Sequence, residues 1–255
     1  MRHLPNLLTL ANLFCGCIAI AFILSAQNFT TAFSLAEEIE VPALEQPYWG
    51  SIFIFLAAFF DLLDGFSARA LKVFSPIGKD LDSLADVVSF GVAPSMILFK
   101  MLWAAHITQP EAMDVSMMLM SPAFLVACFA ALRLAKFNIT AASQSRFFSG
   151  MPTPAVGIFV ATFPLLLWQN PMNIAGVLYN PWVLYAIIAV LCWLMVSGVR
   201  FFKFMPASWK LPHLWPQMII IAVAAISIPY LKTGAITLAF ILYILLSFVY
   251  KPKEI

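Results

Sequence analysis

An all-α integral membrane protein, a polytopic helical bundle of about eight transmembrane helices, is the fold class this sequence predicts, and three observations predict it. Of 255 residues, 63% are hydrophobic and only 10% charged, against about 25% charged in an ordinary soluble domain. Runs of about 20 apolar residues, enough to cross a hydrocarbon core of about 30 Å, recur along the chain. Those runs are continuous, whereas a transmembrane β-barrel shows short segments that alternate apolar and polar.

Taken in order, the spans are expected at Leu7–Ala26, Ser51–Leu71, Ser83–Ala105, Val115–Ala135, Thr153–Gln169, Trp182–Val199, Gln217–Leu231 and Ala235–Tyr250. The first could be taken for a cleaved signal, because Arg2 precedes an apolar run ending in Leu24-Ser25-Ala26. It is read as a retained helix, since its opening residues find a use below. Between the first two spans, Gln27–Tyr48 carries an acidic cluster and then Pro42 and Pro47, the composition of a solvated loop. Prolines recur at Pro152, Pro154, Pro171, Pro181, Pro206, Pro212 and Pro216, mostly between spans where a helix must stop. Lys232-Thr233-Gly234 is so short a connection that the last two spans read as a tight helical hairpin or one broken passage. No repeat or soluble domain is visible, so residues 1–255 are expected to form a single membrane domain.

Orientation follows from lysine and arginine, which are enriched in short cytoplasmic loops. With the N-terminus inside, all of them except Lys100 and Lys232 fall on one side, while Glu37, Glu38, Glu40, Glu45, Glu111 and Asp114 fall on the other. An even number of spans then places both termini in the cytoplasm. A net charge of +2 without a long basic run argues against nucleic acid as a partner. Cys15, Cys17, Cys128 and Cys192 all lie inside spans and read as small packing residues. His3, His106 and His213 are too scattered for a metal site, and the tryptophans near span ends suit the headgroup zone.

Chemistry concentrates in DLLDGFSARALKVFSPIGKDLDSLAD, Asp61 to Asp86, which holds Asp61, Asp64, Asp80, Asp82 and Asp86, five of the twelve acidic residues. On a helix, Asp61 and Asp64 stand about 60° apart and Asp82 and Asp86 about 40° apart, so each pair shares a face. A short loop containing Pro76 and Gly78 would make the two helices antiparallel neighbours. Four carboxylates then converge just inside the membrane surface, with Asp80 about 160° away from Asp82 and pointing elsewhere. Carboxylates placed there repel one another and need positive charge. Arg69 and Lys79 could supply it as a structural ion-pair network. Hard divalent cations, Mg²⁺ or Mn²⁺, fit oxygen ligands better and are commonly shared with substrate phosphates; two of them side by side suit phosphoryl transfer. Gly65 and Ala68 strip one side of the second helix beside the acids, leaving room either for a ligand or for close helix packing.

The stretch fits DxxDGxxAR, eight residues, G, three residues, D, three residues, D at every position, which resembles the signature of the CDP-alcohol phosphatidyltransferases. Leu4-Pro5-Asn6-Leu7-Leu8-Thr9, Val87-Val88-Ser89-Phe90-Gly91-Val92-Ala93-Pro94, Arg133-Leu134-Ala135-Lys136-Phe137-Asn138 and Gly150-Met151-Pro152-Thr153-Pro154-Ala155 are similar to the serine-transferring bacterial branch of that family. These stretches cover about the first 155 residues. The resemblance implies a helical core of about six spans, here with two more, an active site on the cytoplasmic face of the cell's inner membrane, and a homodimer. It implies a reaction in which a phosphatidyl group passes from CDP-diacylglycerol to the hydroxyl of L-serine with release of CMP. Asp61, Asp64 and Asp82 would bind metal, and Asp86 would be both ligand and general base. Gly65 and Ala68 would accommodate the cytidine, Arg69 would lie by the nucleotide or diphosphate, and Asn6 and Thr9, with Ser75 as a weaker candidate, would reach the diphosphate.

For the acceptor, Arg133, Lys136, Asn138 and Arg146 cluster at the cytoplasmic end of the fourth span and offer groups for a serine carboxylate and ammonium. The charged three also fit a plain topological reading, since positive residues belong on that side. Glycerol 3-phosphate, inositol phosphate or choline would be the acceptor in other branches. A cation transporter would also keep acids in the membrane, although such sites usually lie near the midplane on broken helices.

Overall fold

The computed structural model describes residues 3–26, 48–71, 76–107, 116–140, 148–171, 174–201 and 211–249. The protein is an all-α polytopic membrane protein. In chain order the helices are α1 (Leu4–Ser25), α2 (Tyr48–Leu71), α3 (Pro76–Asp86), a π-helical segment (Val87–Val92), α4 (Ala93–Ile107), a 3₁₀ segment (Met117–Phe124), α5 (Leu125–Thr140), α6 (Thr153–Gln169), a single turn α7 (Ala175–Leu178), α8 (Pro181–Val196), α9 (Leu211–Leu231) and α10 (Gly234–Val249). Four continuous stretches, Leu4–Ser25, Tyr48–Leu71, Ile77–Ile107 and Met117–Ile139, are long and apolar enough to cross a membrane, and four shorter apolar helices follow. All eight expected spans are therefore helices.

The third span is longer than expected. It begins at Pro76 rather than Ser83, and Gly78, expected in the loop, lies inside α3. Proline suits the first helical position, where its missing N–H would have no partner anyway, so Pro76 opens the helix instead of preceding it. The seven added residues carry Lys79 and Asp80, placing both on a rigid element. The last two spans form a hairpin: Lys232 takes a positive φ of 50°, and Thr233 donates from its backbone N–H and its hydroxyl to Gln169 Oε1 at 3.0 and 2.8 Å. That pair of bonds ties the hairpin to the end of α6.

The core runs between α1, α4, α6 and α8, where Ile23, Ile97, Met101, Val160 and Leu184 are fully enclosed. Large apolar side chains such as Phe14, Phe59, Trp193 and Ile226 are exposed on the outside, as lipid contact requires. Two residues, Phe148–Ser149, pair antiparallel with Arg200–Phe201, which brings the segment before α6 to the end of α8. Gly150 follows with φ 80°, donating its N–H to Val199 O at 3.0 Å, while Met151 N–H donates to Leu194 O at 3.0 Å. A Cβ on Gly150 would run into the Met195 carbonyl, lying 3.0 Å from its carbon. Gly150→Ala is accordingly expected to destabilise the protein by about 1–3 kcal/mol, from the strained backbone and the clash together. A lowered thermal unfolding midpoint in detergent would show it, and an unchanged midpoint would mean the turn relaxes freely.

Candidate active site

Three helices build one site at the end of the bundle where α1 begins and α2 ends. α1 carries Thr9, Asn12 and Gly16, spaced by three and four and thus on one face. Each meets a different part of the acidic stretch. Thr9 Oγ1 lies 2.8 Å from Asp64 Oδ2 and 3.0 Å from the Pro5 carbonyl, so α1 grips α2. Asn12 Nδ2 donates to Asp86 Oδ1 at 3.3 Å, so α1 also grips α3. Gly16 lies against the π-helical segment: a Cβ there would stand 2.9 Å from Ser89 Cα and overlap its hydroxyl. Ser89 Oγ meanwhile donates to the Asn12 carbonyl at 3.1 Å. Only a residue without a side chain allows this approach, and the approach is what brings Asn12 to Asp86.

Three of the four aspartates expected to converge do so closely. Asp61, Asp64 and Asp82 each place one oxygen so that all three lie within 4.8 Å of one another. Asp86 is buried, as Asp64 is, each 6% exposed; it interacts electrostatically with the other three but stands outside the group of three that could share one ion. Asp82 Oδ1 is buried without a hydrogen-bond partner among the described residues, and leaving such an atom unpaired costs about 1–3 kcal/mol. An octahedral cation with metal–oxygen distances near 2.1 Å spans about 4.2 Å between opposite ligands, so small carboxylate rotations suffice. The three-aspartate cluster fits a hard divalent cation.

Among the described residues, Lys79 is directed away from the cluster and Arg69 reaches only Asp64. Lys79 Nζ turns to the Asn138 carbonyl at 3.0 Å. Arg69 is exposed and close enough to Asp64 to interact with it. Its guanidinium also overhangs Gly65: the nearest atoms to a Cβ on Gly65 would be the Arg69 nitrogens, at 3.8 and 3.9 Å. No other helix packs on Gly65 among the described residues, so the small residue leaves open space beside Asp64 rather than a helix crossing. Ala68, one turn on, is half-buried. Asn6, half-buried one turn before Thr9, lies near the same end of α1.

On the acceptor side, Arg133 is 7% exposed. Its Nη1 donates to Thr153 Oγ1, in the first turn of α6, at 3.0 Å, and Asp86 and Tyr243 of α10 are near enough to act on it electrostatically. Nothing in the positive-inside pattern calls for burial, so topology alone does not explain Arg133. Asn138 is used differently from expectation. Its Nδ2 donates to Ser83 Oγ at 2.7 Å, and Ser83 Oγ lies 3.1 Å from the Lys79 carbonyl. Asn138, Lys79 and Ser83 thus latch the end of α5 onto the turn of α3 that carries Asp82. Lys136 is exposed on α5. Ser75 and Arg146 lie outside the described residues.

Asn12 and Tyr243 were not singled out by sequence, and Ser89 and Thr153 lay in stretches noted for their resemblance without a role of their own. Asn12 had a signal: Asn6, Thr9 and Asn12 recur every third residue, a polar line along an otherwise apolar helix. Tyr243 had none, since only the tertiary fold brings α10 to Arg133.

A helical membrane domain with clustered aspartates at one end, beside a small-residue face, fits a membrane-embedded transferase of substituted phosphate groups. The family model described as CDP-alcohol phosphatidyltransferase matches residues 2–196, and the chain belongs to that family. Helices α9 and α10 lie beyond the matched residues. The chain is 32% identical over 203 residues to "CDP-diacylglycerol--serine O-phosphatidyltransferase" of Bacillus subtilis (strain 168), covering 79% of this chain and 90% of that protein. Proteins of the same name from Helicobacter pylori (strain ATCC 700392 / 26695) and Mycobacterium leprae (strain TN) are each 33% identical. The first match spans 210 residues, 81% of this chain and 75% of that one. The second spans 213 residues, 79% of this chain and 66% of that one.

Proposed function

We propose that this protein transfers the phosphatidyl group of CDP-diacylglycerol to the hydroxyl of L-serine, giving phosphatidylserine and CMP. The observation that carries the reading is the convergence of Asp61, Asp64 and Asp82 beside the open face of Gly65, taken with relatives whose names specify these substrates.

Asp61, Asp64 and Asp82 would hold Mg²⁺ or Mn²⁺, with Asp86 as a further ligand where two ions bind. When bound, the cations make the lipid-side phosphorus more electrophilic and CMP a better leaving group. Around them the chain's residues orient and exclude. Thr9 fixes Asp64, and Asn12 fixes Asp86. Gly65 and Ala68 would leave space for the cytidine beside Arg69, while Asn6, and Ser75 as the weaker candidate, would reach the diphosphate. Asp86 takes the proton of the serine hydroxyl as the Oγ–phosphorus bond forms and the bond from phosphorus to the CMP oxygen breaks. An unperturbed carboxylate is a weak base, so modest proton removal must coincide with loss of a good leaving group.

Arg133, with Lys136 and Arg146, would draw the serine carboxylate. Asn138, bonded to Ser83, is better suited to holding α3 than to touching serine. The family resemblance supports a homodimer in the cell's inner membrane, and the charge distribution supports an orientation with both termini and the site facing the cytoplasm.

The test supplies purified protein with CDP-diacylglycerol and Mn²⁺ or Mg²⁺, adds serine, glycerol 3-phosphate, inositol phosphate or choline singly, and follows CMP and lipid product. CMP and phosphatidylserine with serine alone is the expected result. Release with another acceptor would discard the serine assignment and keep the aspartate chemistry. No release with any of them would overturn both.

A further inference from the structure

Asn12 is bonded to Asp86, and Arg133 is near enough for the charge of Asp86 to act on it; each of the two buried side chains has one hydrogen-bonding atom unpaired among the described residues. Asn12 is fully buried. A carboxylate only accepts, so the Asn12 amide must turn its N–H₂ toward Asp86 Oδ1, which directs its own Oδ1 elsewhere. That oxygen has no partner. Arg133 uses Nη1 on Thr153, and its Nε is likewise buried without a partner. One unpaired atom is an acceptor and the other a donor, and both side chains interact with the same carboxylate. Buried polar atoms are rarely left so in a folded protein, and two of opposite character around one base describe the complement of a ligand.

We infer that Asn12 Oδ1 receives the ammonium of the acceptor and Arg133 Nε its carboxylate, so that a free zwitterionic amino alcohol is held at three points with its hydroxyl at Asp86. This rests on the serine reading above and adds Asn12 as a determinant of acceptor specificity. The inferred contacts involve binding only; the transferred proton still passes from the hydroxyl to Asp86. A phosphorylated alcohol without an amine could still meet the guanidinium through its phosphate but would offer no ammonium for Asn12 Oδ1, so Asn12 is the discriminating contact.

The test compares kcat/KM for serine, 3-hydroxypropanoate, which lacks the ammonium, and ethanolamine, which lacks the carboxylate, using CDP-diacylglycerol and Mn²⁺. Wild-type protein should prefer serine to each analogue by at least about tenfold, the usual effect of leaving a buried polar group unpaired. In Asn12→Ala the preference over 3-hydroxypropanoate should fall by about tenfold or more, while the preference over ethanolamine stays. A general loss of rate from a less well-oriented Asp86 cancels in these ratios, as does partial misfolding. Wild-type use of serine with no preference over 3-hydroxypropanoate would overturn the Asn12 assignment without any variant, and leave the serine reading standing. The same holds if Asn12→Ala retains the wild-type preference. No serine-dependent release by wild type would overturn the serine reading and this assignment with it.

Discussion

Asp86→Asn is expected to lower serine-dependent CMP release by about 10²–10⁴-fold, the range that a positioned general base contributes. The substitution is nearly isosteric, and the asparagine Oδ1 can still accept from Asn12, so the contact between α1 and α3 survives. What disappears is the ability to take the hydroxyl proton. Asp86 also lies outside the group of three aspartates that could share one ion, so cation affinity should change less than turnover. The decisive pair of measurements is turnover together with the Mn²⁺ and CDP-diacylglycerol concentrations that give half-maximal rate. Near-normal turnover with both unchanged would remove Asp86 from the role of base.

Asp82→Asn should have the contrary signature. Its Oδ1 is buried and unpaired, while its carboxylate is the sole contribution of α3 to the group with Asp61 and Asp64. Residues that merely orient a metal ligand typically change metal affinity or activity by 10–100-fold, roughly. Loss of a charged ligand should exceed that, so the Mn²⁺ requirement should rise by more than about 100-fold. Activity would return in part at high Mn²⁺, which separates a binding defect from a catalytic one. An unaltered Mn²⁺ titration would show that Asp82 holds no cation.

Residue spacing along helices carries some kinds of information well and others poorly. The pairing of Asp61 with Asp64 and of Asp82 with Asp86 was legible because 3.6-residue periodicity decides which side chains share a face. The eight spans were legible because bilayer thickness sets their length. Partnerships between distant helices were not, since nothing local encodes them. Arg133 looked like one more positive residue on the inner side, and its burial beside Thr153 and Asp86 shows only once α5 and α6 are packed. Asn138 stood out as a polar residue that charge bias does not explain, yet its partner is Ser83, on a stretch expected to begin the third span rather than continue a helix. The start of α3 was misplaced because Pro76 and Gly78 read as loop residues, whereas a proline at the first helical position is compatible with helix.

The π-helical segment Val87–Val92 begins immediately after Asp86 and ends where the buried run Ala93-Pro94-Ser95 begins. A π turn closes its hydrogen bonds one residue further along than an α turn, which amounts to one extra residue inserted into a continuous rod. Each residue of an α-helix turns it by about 100°. The insertion therefore sets the angular phase of α4 apart from that of α3. The half of the rod bearing Asp82 and Asp86 can face α1 and α2, while the half bearing Ile97, Leu98 and Met101 faces the core. A length change of one residue within 87–92 would leave every side chain chemically intact and still swing the carboxylates away from Asn12 and Asp64. Within these six residues, chain length constrains the enzyme as well as composition does.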